Sequence, residues 1–82
     1  MEKAVKLQVR KDLNNHQQQN VIKLKGSLIS RGYTEIIHIA DLDDEFHINF
    51  FETSIDTKNE VREFINAFIT KENLENTIKL FR

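Results

Sequence analysis

From Lys3 to Arg10 every second residue is apolar: Val5, Leu7 and Val9 alternate with Lys6, Gln8 and Arg10. Period-two alternation marks a strand buried on one face. Asp12 to Asn15 then offers several helix N-cap side chains. Beyond them Val21, Leu24 and Leu28 recur at helical spacing, and the helix is expected to reach Arg31. Gly32 stands where a left-handed C-cap residue is wanted. Gly26, inside the helix, is read as a place of close approach to a neighbour.

The stretch from Thr34 to Ala40 is rich in β-branched residues and is expected to form the second strand. From Glu45 to Thr53, Phe46, Ile48 and Phe50 alternate with His47, Asn49 and Phe51, which predicts a third strand. Asp41-Leu42-Asp43-Asp44 supplies turn chemistry between them. A two-residue turn at Leu42-Asp43, or a four-residue loop from Asp41 to Asp44, sets Ile37 opposite Ile48, Ile39 opposite Phe46 and His38 opposite His47. In that register the apolar pairs face the core.

Thr57-Lys58-Asn59-Glu60 has capping-box spacing, and Val61, Phe64, Ile65 and Phe68 follow as one apolar stripe. Phe64 is expected to face Ile48 across the core. Asn73 is a plausible stop, and Asn76 to Phe81 alternates Ile78 and Leu80 with Thr77, Lys79 and Phe81 as a last strand. The order β-α-β-β-α-β predicts a single domain over residues 1–82 of α+β class. It would be a ferredoxin-like sandwich with antiparallel sheet order 4-1-3-2 and both helices on one face.

Composition changes this picture little. With 39% hydrophobic and 30% charged residues the chain is that of an ordinary soluble globular domain. The absence of cysteine removes disulfides and thiolate metal sites. No apolar run approaches a signal core or a membrane span, so a cytoplasmic location is expected. Charge is more informative. Residues 1–32 hold seven bases against two acids, and residues 33–63 two bases against nine acids, a polarity that bears on steering of partners.

Candidate chemistry is sparse. Asp41, Asp43, Asp44 and Glu45 lack the spread and the glycine of an EF-hand loop and read as a solvated tip. His38 beside His47 lacks a further ligand, so no metal site is expected. Ser27, Ser30 and Ser54 have no nucleophile-elbow context, and two glycines cannot build a phosphate loop. No catalytic residue and no cofactor is expected.

In size and element order the chain resembles the small subunit of the purine-pathway formylglycinamidine synthetase, through Gly32-Tyr33 and the Ile-rich strand after it. That family's Asp-Pro-Gln-Gly loop has no counterpart around Gln17 to Val21, nor its Arg-x-Gly-Lys after Ile39. The likeness is one of fold, and fold does not imply function.

The sheet face away from the helices is the remaining candidate. By alternation it should present Lys6, Gln8, Arg10, His38, His47, Asn49, Phe51, Lys79 and Phe81. The leading expectation is a non-catalytic protein-binding module (a regulator, adaptor or inhibitor) acting by surface complementarity, with self-association through that face as one form. Phe51 and Phe81 would then be the anchors. The alternatives are single-stranded nucleic-acid binding through the basic and aromatic residues, or a small non-catalytic subunit of a larger enzyme.

Overall fold

A computed structural model describes residues 2–81. The elements are β1 (Glu2–Arg10), α1 (Asn15–Ser30), β2 (His38–Asp41), β3 (Phe46–Ser54), α2 (Lys58–Lys71) and β4 (Ile78–Leu80). The four strands form one antiparallel sheet in the order β2-β3-β1-β4. This is 4-1-3-2 read from the other edge, so the ferredoxin-like arrangement holds.

Both helices start and stop for legible reasons. Asn14 closes a capping box with Gln17: the Gln17 amide donates to Asn14 Oδ1 at 2.8 Å, and the Asn14 amide donates to Gln17 Oε1 at 3.0 Å. At the far end Gly32 has φ +79°. Its amide reaches Ile29 O and that of Tyr33 reaches Leu28 O, the paired bonds of a Schellman cap. α2 ends in the same way on Asn73, at φ 56°, with Asn73 N–H on Thr70 O and Leu74 N–H on Ile69 O. The expected capping box at its start is not made. Thr57 Oγ1 is held by Thr53 and Ser54, and Glu60 accepts from the Tyr33 hydroxyl at 2.6 Å.

The core lies between the helices and one face of the sheet. Val5, Leu7 and Val9 of β1 meet Val21, Leu24 and Leu28 of α1 and Val61, Ile65 and Ile69 of α2 there, with Phe51, Leu74 and Ile78 completing it. Gly26 has nothing within 4 Å of where a Cβ would sit, so it marks no close approach.

The hairpin register differs from expectation. His38 lies opposite Phe50, Ile39 opposite Asn49, Ala40 opposite Ile48 and Asp41 opposite His47. The cause is the turn. Asp43 Oδ1 accepts from the amides of Glu45 (2.8 Å) and Phe46 (2.9 Å), while Leu42 N–H bonds Phe46 O. The tip is therefore Asp43-Asp44-Glu45, an odd number of residues, where both expected turns had an even one. An odd change reverses which face each β3 side chain takes.

β2 is also shorter than the expected strand from Thr34 to Ala40. Thr34 Oγ1 donates to Ile36 O and accepts from Ile36 N–H, a local closure that competes with the ladder. Pairing consequently starts only at His38, and residues 51–54 of β3 have β1 as their only ladder partner.

Candidate functional site

β1 sets the frame. Since Val5, Leu7 and Val9 are buried, their cross-strand partners Phe51, Asn49 and His47 share the helix side. Phe51 and Asn49 are each 1% exposed. These three residues, expected on the open face, are therefore not part of it. Phe51 is the largest fully buried side chain, and His47 is half-buried, with Nδ1 3.3 Å from Asp41 Oδ1. The two imidazoles expected side by side are on opposite faces. The expected meeting of Phe64 and Ile48 fails for the same reason, and Phe64 instead packs against Tyr33 and Phe68 with the Arg31 guanidinium 4.5 Å from its ring centre.

What the open face does carry is Phe46, Ile48 and Phe50, in one column down a central strand. They stand opposite Arg10, Gln8 and Lys6 respectively. Each of the three is half-buried although no helix covers it. Long basic side chains can lay their aliphatic stems over neighbouring apolar surface and keep their charges in water, and Lys6 and Arg10 stand directly across the strand from Phe50 and Phe46.

Lys6, Arg10, His38 and Lys79, all expected here, are here and exposed. The His38 ring stacks on Phe50, with centroids 5.1 Å apart and planes 23° apart. Lys79 pairs with Gln8. Phe81, one residue past β4, donates its amide to Lys6 O at 2.9 Å and accepts from Arg62 at its carbonyl. It continues the Lys79 side of that strand. A shallow depression of about 210 Å³ opens at the Phe46 end of the face, with Gln8, Lys79, Asn76, Thr77 and the acidic Glu75 in its wall.

The charges on this face are one-sided. Lys6, Arg10 and Lys79 occupy β1 and β4, with Glu75 beside Lys79, while Glu52, opposite Ala4, stands at one end of β3 and the acidic turn at the other. The second, broader cleft, of about 880 Å³, lies beside the unpaired edge of β3. It runs between Ile29, Ile36 and Phe50, and its charged walls are Glu35 and Glu52. An anion is drawn to the first surface and repelled by the second.

Other groups have local partners. Ser30 bonds Ser27 O, Ser54 bonds Thr57, and His16 Nε2 lies 3.1 Å from Asn20 Nδ2. The Glu60 contact raises the Tyr33 pKa, and burial lowers that of Lys25. Among the described residues, no three His, Asp or Glu side chains gather where they could hold one ion. Nor is any helix long and apolar enough to cross a membrane.

Comparison with protein-family models, curated proteins and solved structures finds no match for this chain.

Proposed function

We propose that the protein is a non-catalytic binding module that acts by surface complementarity through its open sheet face. The observation that carries this reading is the Phe46-Ile48-Phe50 column. Three large apolar side chains stand on the face that no helix covers, flanked on the β1 and β4 side by Lys6, Arg10 and Lys79. Aromatic groups in a partly desolvated centre with charges at the rim are what an interface uses for affinity and for orientation. The role of regulator, adaptor, inhibitor or enzyme subunit follows from what sits there.

The anchors differ from those expected, because Phe51 belongs to the core and Phe46 and Phe50 take its place. A second copy is the less favoured occupant. Stacked on itself about a two-fold axis across the strands, this face would bring like-charged cations together, and opposed like charges are destabilising. A partner bearing negative charge is favoured instead.

The test is affinity capture from the native host, with and without nuclease, using wild type, Lys6→Glu/Lys79→Glu and a helix-side control, Lys23→Glu. The reading expects the partner to be lost with the double variant and kept with the control. Loss with Lys23→Glu alone would move the site to the helices.

A further inference from the structure

The geometry points to single-stranded nucleic acid as the anionic partner, an assignment that rests on the open-face reading above. The face combines two things that such a strand needs. Phe46 and Phe50 offer rings for stacking, about 13 Å apart along β3 at ~3.3 Å per residue, and the His38 imidazole, stacked on one face of Phe50, adds a further flat ring. Lys6, Arg10 and Lys79 offer three cations for phosphates on the neighbouring strands. Stacking on aromatic side chains beside a basic track is how proteins hold unpaired bases without reading much sequence.

The placement of the acids orients the strand. Glu52 at one end of β3 and Asp44 and Glu45 at the other repel phosphates from both ends. The backbone therefore follows Lys6 and Arg10 on β1 and Lys79 on β4, where three cations outweigh the single Glu75 beside Lys79, and the bases turn inward over β3. The depression beside Phe46 would take a base edge, with the Gln8 amide able to donate and accept there. A duplex keeps its bases stacked inside and offers this platform only phosphates. An acidic protein could neutralise the cations, but it need not present flat rings at the Phe46 and Phe50 positions.

The experiment is fluorescence anisotropy with a labelled single-stranded oligonucleotide of about 12 nucleotides, the matching duplex, and polyglutamate as an acidic polypeptide. The expected result is preference for the single strand, with log affinity falling against log salt at a slope of about −2 for three phosphate contacts. Phe50→Ala should weaken binding roughly tenfold. Lys79→Gln, at an exposed position that cannot disturb the core, should flatten the slope by about 0.7.

Equal binding of duplex and single strand would overturn the assignment, as would indifference to Phe50→Ala in a protein that circular dichroism shows to be folded. Binding of polyglutamate but not of the oligonucleotide, lost on Lys79→Gln, would overturn nucleic acid and leave the open-face reading standing. Binding of neither polyanion at about 50 mM salt would remove both.

Discussion

The two faces of β3 differ in composition and serve opposite ends. Toward the helices the strand presents His47, Asn49, Phe51 and Thr53; toward solvent it presents Phe46, Ile48, Phe50 and Glu52. By hydrophobicity the solvent face is the richer of the two. The core nevertheless takes the face with one phenylalanine and a buried asparagine, because β1 leaves it no choice. Apolar content alone does not say which side of a central strand is inside; the partner strand does. The surplus apolar surface left outside then asks for an occupant.

The sharpest way to break this comparison is to truncate the adjacent phenylalanines one at a time. Phe51→Ala should cost about 3–5 kcal/mol, as for a fully buried aromatic. For a domain of this size that approaches collapse. Phe50→Ala, on a half-buried ring, should cost about 1–2 kcal/mol. Urea denaturation measures both, and equal losses would mean that the two faces are not distinct in the way described.

Asn49 sharpens the comparison from the other side. Its Oδ1 is buried without a hydrogen-bond partner, a situation that costs about 1–3 kcal/mol. Asn49→Leu should therefore raise stability by about 1 kcal/mol. A loss of that size would show that the amide has a partner after all.

Much of the fold was legible in the sequence because local signals agreed with one another. The alternation in β1 and Gly32 and Asn73 as helix stops appear where expected, as does the sheet order that the element order implies; the buried α2 face is Val61, Ile65 and Ile69, with the expected Phe64 and Phe68 only half-buried beside it. The facing of β3 was misread because the Phe50-Phe51 doublet lets either parity bury a ring. One residue could have decided it. Glu52 is in phase with Phe46, Ile48 and Phe50, so turning that set inward would have buried a carboxylate.

The candidate site inherited the error. Lys6, Gln8, Arg10, His38, Lys79 and Phe81 depend on β1, β2 and β4 and are placed as expected, whereas His47, Asn49 and Phe51 exchanged faces with Phe46, Ile48 and Phe50. The shortness of β2 was not readable, because it depends on the Thr34 hydroxyl closing on Ile36 rather than on propensity.

Two smaller effects test the frame that holds these faces. Gly32→Ala should cost about 1 kcal/mol. Space is free around the position, so the whole penalty is the left-handed backbone. Thermal melts would show it, and an unchanged midpoint would mean that the cap relaxes. The Tyr33–Glu60 bond should give a still smaller, pH-dependent contribution. The folded pKa is raised above the ordinary tyrosine value. The contribution is therefore fully present below pH ~10 and lost as pH rises through the folded pKa. Tyr33→Phe should abolish that slope; a slope that survives belongs to another group.

The most direct test of the open-face account is a titration of isotope-labelled protein with the single-stranded oligonucleotide, followed by the aromatic ring and side-chain resonances. The account predicts that Phe46, Phe50, Ile48 and His38 shift together, with Lys6 and Lys79 beside them, while Phe51 and Phe64 stay still. Shifts centred on α1 or α2, with Phe46 and Phe50 unmoved, would contradict it.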